Sequence, residues 1–160
     1  MKKIALSAAA VLCVAWLALS IEAASSSRLS DAIQSGNKEA VRALLKDRAA
    51  VKAADGDGTT PLHWAVRADD LETSQLLIKA GASATAANRY GVKPLTLAAL
   101  NGHAGIIEQL IGAGADPNTA TSEGETALLT ASRTGSVDAV QALMAHGANV
   151  NAREHWLGET

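Results

Sequence analysis

Three segments of this chain repeat one another at a fixed step of 33 residues, and no other feature constrains the fold as strongly. They begin at Gly58, Gly91 and Gly124, and each places a leucine four residues later and an alanine seven residues later. A repeat of this length is a small structural unit that buries its apolar face only against neighbouring units. The sequence therefore predicts a solenoid with one continuous core and an extended surface, which suits binding more than catalysis.

The same register holds in the rest of each unit and extends towards the N-terminus. Leu77, Leu110 and Leu143 occupy one column of the repeat alignment. One step further back, Leu29 falls in the column of the first-helix leucines, so an earlier and divergent copy begins near Ser25. Four units are therefore predicted, at about residues 25–54, 55–87, 88–120 and 121–153, with the start of a fifth from residue 154.

Each unit is predicted to form two helices joined by a tight turn. Pro61 and Pro94 suit a first helical turn, because the N–H that proline lacks has no partner there and its fixed φ is already helical. A left-handed turn follows at a glycine, or at Asp69 in the second unit, where this conformation is tolerable. A capping residue then starts the second helix. The expected cap positions are Asn37, Asp70, His103 and Ser136.

The repeated segments resemble the ankyrin repeat. Residues 60–65 match the pattern T-P-L-H-x-A of that family, and residues 147–152 match the end of its unit. Thr96 and Leu129 depart from the pattern, since the family prefers histidine at both positions. The resemblance implies an all-α solenoid of stacked helix-turn-helix ankyrin repeats with projecting β-turns. It also implies that His63 makes a structural hydrogen bond to neighbouring backbone.

The first 23 residues show the order of a secretory signal peptide. Lys2 and Lys3 precede an apolar run, and small residues follow it. Cleavage fits best after Ala23, and the alternative is an uncleaved anchor, for which the run is slightly short. Residues 24–160 then form the repeat domain. The chain therefore resembles an exported bacterial ankyrin-repeat protein, periplasmic or secreted, with no stable membrane insertion after cleavage.

Composition and candidate catalytic residues give no support to an enzyme. Removal of the signal peptide also removes Cys13, the only cysteine of the sequence, which excludes disulfides and thiolate metal sites in the mature chain. The net charge of −2 argues against nucleic acid as the main partner. The histidines do not share metal-ligand spacing, and His63 is a lone histidine without a positioned acid or nucleophile. We therefore expect no cofactor, no metal site and no catalytic residue.

The resemblance also implies where a partner binds, because ankyrin-repeat proteins usually contact partners through the β-turn tips and the exposed side of the first helices. Tyr90 and Arg89 stand out, since tyrosine and arginine are enriched among residues that carry binding energy. The alternative is that both are ordinary solvated residues. Trp64 is expected to pack between units. The positions that correspond to partner contacts are Gly56, Asp57, Thr59, Arg67, Arg89, Tyr90, Val92, Leu100, Ser122, Glu123, Glu125 and Arg133.

Two functions are compatible with these observations. The favoured one is a non-enzymatic protein-protein interaction scaffold, exported across the cytoplasmic membrane, that holds an unknown protein partner along its concave face. The alternative is a targeting module of an exported enzyme or effector whose catalytic domain lies beyond residue 160. The complete protein is expected to be a monomer.

The C-terminal residues predict that this chain is a fragment of a longer protein. Residues 154–160 re-enter the repeat and stop before the pair that would begin the next helix. A stacked array needs a polar terminal unit to cover its last apolar face. Without one, the outer side of the fourth unit is expected to meet solvent at Leu128, Leu143 and Met144.

Overall fold

The computed structural model describes residues 28–153, so the predicted signal peptide and the start of the predicted fifth unit lie outside the described residues. Within that range the chain is helical apart from loops and tight turns, and its only β-structure is a single bridge between Ala120 and Thr126. The helices are α1 (the described residues 28–34), α2 (Lys38–Leu44), α3 (Arg48–Lys52), α4 (Pro61–Arg67), α5 (Leu71–Lys79), α6 (Pro94–Asn101), α7 (Ala104–Gly112), α8 (Ala127–Thr134) and α9 (Val137–Ala145).

The helices of the second to fourth repeats form two parallel layers. The first helices α4, α6 and α8 pack side by side in one layer, and the second helices α5, α7 and α9 pack in the other. Each first helix also packs against the second helix of its own repeat. The predicted all-α solenoid of helix-turn-helix units is confirmed.

All four predicted caps begin the second helices. Each cap side chain accepts a hydrogen bond from the backbone N–H three residues later, at 3.0 Å for Asn37 and Asp70, 3.3 Å for His103 and 3.4 Å for Ser136. These bonds satisfy N–H groups that have no partner inside a helix. The residue before each cap is left-handed, and at Asp69 it has φ of +57° without being a glycine.

One continuous core runs through the stack. Leu77, Leu110 and Leu143 are fully buried, as their shared column predicts. Between the first helices the core is built from small side chains, which let neighbouring helices approach closely. These fully buried alanines are Ala65, Ala98 and Ala131.

The predicted exposure of the fourth unit's outer side is wrong for two of its three residues. Leu128 is 7% exposed and Leu143 is 0% exposed, because α8 and α9 pack against each other and against the third repeat. Met144 is 51% exposed, as expected. Its counterparts Ile78 and Ile111 are partly buried against the core.

A short helix that the repeat register did not predict follows the first helix pair. The Asp47 side chain accepts a hydrogen bond from the Ala49 amide at 2.9 Å and begins α3, which buries Ala50 and Val51. In the other units a left-handed glycine occupies the position of Arg48 and ends the second helix. The first unit lacks that glycine, so α2 ends two residues earlier in the register and the chain turns into α3.

Three β-turns project beside the helix layers, as predicted. We call them the second tip (residues 55–58), the third tip (residues 88–91) and the fourth tip (residues 121–124). In each tip the amide of the last residue, a glycine, donates to the carbonyl of the first residue at 2.9–3.0 Å. These glycines have φ between +72° and +86°, the left-handed region that glycine adopts without strain.

Candidate protein-binding site

A groove of about 290 Å³ lies between the first helices of the second and third repeats and the tips beside them. Trp64 and Arg67 contribute to its lining from α4, and Leu97 contributes from α6. Tyr90 and Val92, in and after the third tip, form its wall. We call it the central groove, and its remaining lining residues are Asp57, Thr59, His63 and Asn88.

His63 fixes the wall of the central groove to α4. Its ring is only 1% exposed, and Nδ1 accepts a hydrogen bond from the Thr60 amide at 3.1 Å. Nε2 lies 3.0 Å from the carbonyl oxygen of Val92 and donates to it. One side chain therefore caps a helix in the second repeat and holds the chain of the third, which confirms the structural hydrogen bond that the sequence predicts for His63.

The electrostatics of His63 agree with this geometry. Burial lowers the pKa of the imidazole below its ordinary value, against the opposing effects of the Val92 hydrogen bond and the Asp57 charge. The ring is therefore neutral and carries its proton on Nε2. A second proton on Nδ1 would face the Thr60 N–H and break the cap of α4.

The third tip is also joined directly to the second tip. The Arg89 amide donates to the Asp57 carbonyl at 2.7 Å, and Arg89 Nη2 donates to the Gly56 carbonyl at 2.5 Å. A Cβ atom at Gly58 would lie 3.2 Å from the Asn88 Cα, which shows how closely the two backbones approach. The sequence predicts the Arg89 side chain as a partner contact, but one of its N–H donors is already bonded within the protein.

The structure places five of the predicted contacts in the central groove and seven outside it. Those that line the groove are Asp57, Thr59, Arg67, Tyr90 and Val92. Those outside its lining are Gly56, Arg89, Leu100, Ser122, Glu123, Glu125 and Arg133. The predicted contacts that line the groove therefore belong to the second and third repeats.

Thr59 does not project from its tip, and that expectation is wrong. Its residue is 8% exposed, because Asn88 of the next repeat lies over it and donates Nδ2 to the Thr59 hydroxyl at 3.5 Å. Val92 is half-buried, and its amide donates to the Asn88 side-chain oxygen at 3.0 Å. Tyr90, by contrast, is 73% exposed.

The predicted contacts on the fourth repeat lie apart from the central groove. Arg133 Nη1 is 3.1 Å from the Glu125 carboxylate, which also accepts the Thr130 hydroxyl proton at 2.9 Å. The Ser122 hydroxyl donates to Glu123 at 2.8 Å and lowers the pKa of that carboxyl. Arg133 and Glu125 are thus paired with each other and Glu123 is bonded to Ser122, whereas the third repeat exposes Tyr90 and Leu100.

Trp64 both packs and lines the groove. It is half-buried against the core, as the sequence predicts, and its Nε1 donates to Asp55 at 2.7 Å. The guanidinium carbon of Arg67 lies 5.7 Å from the centre of its ring. Trp64 and Leu97 were not predicted from the sequence as groove residues. Their repeat position was the available signal: both directly follow the position of His63, which turns their side chains about 100° round the first helix from that histidine.

Residues 28–153 offer neither a metal-ligand cluster nor a membrane-spanning helix. No cluster of three or more His, Cys, Asp or Glu side chains in that range could hold a metal ion. None of the helices described there combines the length and apolar character needed to cross a bilayer. The Asp57 carboxylate accepts the Thr59 amide at 2.9 Å, and this hydrogen bond lowers the pKa of Asp57.

Comparison with known proteins agrees with the helix pairs and tips. The family described as ankyrin repeats in three copies matches residues 6–88, 29–121 and 75–154, so that the first match begins inside the predicted signal peptide. A search of curated proteins found no match. Ankyrin repeats are generally protein–protein interaction modules, and proteins built from them are typically non-catalytic scaffolds. On its repeats, its helix pairs and these matches, the chain belongs to the ankyrin-repeat family.

Proposed function

We propose that this chain is a non-enzymatic scaffold that holds a protein partner in the central groove. The observation that carries the proposal is the exposure of a large side chain in an apolar groove lining: Tyr90 is 73% exposed and lines the groove with half-buried Trp64 and Leu97. Leu100, one helical turn after Leu97 on α6 and outside the lining, is also 56% exposed. Contiguous apolar surface of this kind marks interaction sites on soluble proteins. Tyrosine and tryptophan are also among the residues that most often dominate binding energy.

The hydrogen bonds around the third tip support this proposal, because they set the wall of the groove before a partner arrives. His63 holds the Val92 carbonyl and the Arg89 amide is bonded to the second tip. The Tyr90 amide donates to the Asn88 side-chain oxygen at 3.0 Å, so the backbone beneath the phenol ring is fixed. A surface that is already ordered loses less conformational entropy on binding.

A catalytic role for the groove has weaker support. His63 is the histidine among its lining residues, and both of its ring nitrogens bond to groups of the protein. A general base needs a ring nitrogen within reach of a substrate proton. The groove chemistry therefore favours a scaffold, in line with the typical role of the family.

We further propose that residues 1–23 direct export to the periplasm or the cell exterior. The support is their sequence order of two lysines, an apolar run and small residues. N-terminal sequencing of the protein recovered from fractionated source cells tests this proposal. A mature chain that begins at Ala24 in the envelope or the medium is expected, and an intact N-terminus in the cytoplasmic fraction would contradict export.

Capture from the source-cell envelope fraction tests the binding surface. Immobilised wild-type protein and a Tyr90→Ala variant are compared with Val137→Ala, whose side chain is 65% exposed on α9 and outside the groove. We expect one partner to be retained by wild type and by Val137→Ala and lost from Tyr90→Ala. Equal retention by all three proteins would place the binding surface elsewhere. An activity of the partner complex that requires chain beyond residue 160 would favour the alternative, a targeting module of an exported enzyme or effector.

A further inference from the structure

We propose that the central groove recognises a protein segment in which a large apolar side chain lies beside a carboxylate, and that Arg67 binds this carboxylate. The inference rests on the proposed function and specifies the chemistry of the partner. It depends on three observations: which arginines of the predicted binding surface already have partners, which acids near the groove already have donors, and how large the apolar part of the groove is.

Arg67 differs from the other arginines of the predicted binding surface. Arg133, its counterpart on the fourth repeat, forms an ion pair with Glu125 at 3.1 Å. Arg89 donates to the Gly56 carbonyl. Within residues 28–153, the guanidinium of Arg67 has neither a carboxylate within 4.0 Å nor a hydrogen-bond acceptor. Its donors are therefore available to a ligand in the groove.

The acids near the groove are already engaged with donors of the protein. Asp55 accepts the Trp64 indole N–H at 2.7 Å and the Ser30 hydroxyl at 3.4 Å. Asp57 accepts the Thr59 amide and lies near the Arg89 charge, which also favours its ionised form. Neither carboxylate therefore binds Arg67, and the arginine is left to attract an acid from a partner.

The Arg67 guanidinium is also oriented. It stacks over the Trp64 ring at 5.7 Å, and the indole is held in turn by its bond to Asp55. A planar guanidinium stacked in this way keeps its N–H groups at the rim, where they match the two oxygens of a carboxylate. A lysine in its place would offer no such fixed fork.

The apolar part of the groove lies next to that cation. Trp64, Leu97, Tyr90 and Val92 line a space of about 290 Å³ together with the more polar residues of the tips. This volume lies just below the roughly 300–1,000 Å³ typical of small-ligand pockets. It suits one or two large side chains of a partner segment, with the acidic side chain directed to Arg67.

Fluorescence anisotropy with designed peptides tests the proposal. The probes are short, labelled Gly-Ser peptides that carry one Trp, Phe or Leu followed by Asp, Asn or Lys. We expect wild-type protein to bind the Asp peptides about tenfold more tightly than the Lys peptides, the factor that one charge-assisted hydrogen bond supplies. Arg67→Gln should remove this preference, and Arg133→Gln, whose side chain is already paired with Glu125, should keep it.

The preference of the wild-type protein should also shrink as salt is raised, since exposed charges are screened. This second readout applies even where Arg67→Gln alters the fold. Equal binding of the Asp and Lys peptides, binding of none of them, or an unchanged preference in Arg67→Gln would each overturn the inference. The proposed function is decided separately, by the capture experiment. It stands if Tyr90→Ala loses the partner that wild type retains, whatever the peptides show.

Discussion

The junction between the second and third tips differs sharply from the junction between the third and fourth tips. At the first junction, the His63 ring, the Arg89 amide and the Arg89 side chain all form hydrogen bonds from one repeat to the next. At the second junction, no hydrogen bond between described residues joins residues 88–93 to residues 121–126. The family pattern is complete at the tight junction and broken at the other, and the central groove lies on the tight one.

The looser junction has a local cause. Thr96 replaces the histidine of the pattern, and Lys93 precedes α6 without a side-chain cap among the described residues. Lys93 and Thr96 also line a cavity of about 70 Å³, together with Asp116 and with Ala127 of the fourth repeat. The third and fourth repeats are instead joined below the tips, where Asn118 bonds to the Gly147 carbonyl at 3.0 Å. The junction that keeps the histidine is therefore also the one at which the Arg89 amide and side chain bond to the preceding tip.

The largest effect is expected in the core that both junctions share. Leu110→Ala removes a fully buried side chain from α7 and should lower the free energy of unfolding by about 2–5 kcal/mol. Leu100→Ala is the matched control, because this leucine is 56% exposed and its truncation should cost under roughly 0.5 kcal/mol. Urea titration of both variants measures the difference. Similar losses would contradict the assigned register.

The second effect separates the two junctions directly. His63→Ala leaves the Thr60 amide and the Val92 carbonyl without their ring partners and should cost about 2–3 kcal/mol. Thr96→Ala, at the same position of the next repeat, should cost less than about 1 kcal/mol. Thermal and urea unfolding measure both variants, and equal losses would remove the distinction between the junctions.

The third effect is a gain, from restoring the pattern at the loose junction. In Lys93→Thr with Thr96→His, the new threonine and histidine should cap α6, and the ring should reach the Glu125 carbonyl as His63 reaches that of Val92. We expect about 1–2 kcal/mol of added stability by urea titration. Thr96→His alone serves as the control and should gain less. A double variant less stable than wild type would show that the junction is loose for another reason.

The fourth effect concerns the second helices, where the weaker packing belongs to the second repeat and not to the third. Ser74 is fully buried on α5, and its hydroxyl has no hydrogen-bond partner among the described residues, whereas the matching position on α7 is Ile107. Ser74→Ala should therefore raise stability by roughly 0.5–1 kcal/mol. Ser132→Ala controls for helix propensity, because its hydroxyl is bonded to the Leu128 carbonyl at 2.7 Å. A loss at Ser74 in calorimetry would point to a partner for its hydroxyl.

The smallest effect is a dependence on pH that belongs to the tight junction. Burial lowers the pKa of His63 in the folded state, so the unfolded chain binds the proton more readily. The contribution of the neutral ring is complete above the unfolded pKa of about 6.5 and is lost as the pH falls towards the lower folded pKa. Unfolding curves of wild type and His63→Gln across this range measure the effect. Identical pH profiles would contradict it.

Local sequence predicted the parts of the fold that depend on a few neighbouring residues. Pro61 and Pro94 begin their helices, Asp69 adopts the left-handed turn, and the caps at Asn37 and Ser136 bond as expected. Each of these features follows from the φ, the missing N–H or the side-chain oxygen of one residue. The fixed step of 33 residues then predicted that these helix pairs stack side by side in a solenoid.

Sequence failed where contacts between repeats decide the outcome. Thr59 directly follows a turn but is covered by Asn88 of the following repeat, and Arg89 is exposed but bonds back to Gly56. The position of Trp64 in the groove likewise depends on how α4 and α6 stack. The helix α3 was missed because the repeat register assigns a loop to a segment that Asp47 caps.

Hydrogen exchange at the tips tests most directly the claim that His63 holds the wall of the central groove. The amides of Asn88 and Gly91 in the third tip make the same internal bonds as those of Thr121 and Gly124 in the fourth, which makes the two pairs comparable. We predict slower exchange in the third tip of the wild-type protein. In His63→Ala, the amides of the third tip should exchange as fast as those of the fourth tip. Global destabilisation speeds exchange in both tips, so the difference between the two tips is the quantity compared. Equal protection of the two tips in wild type, or a third tip that keeps its advantage in His63→Ala, would contradict the account.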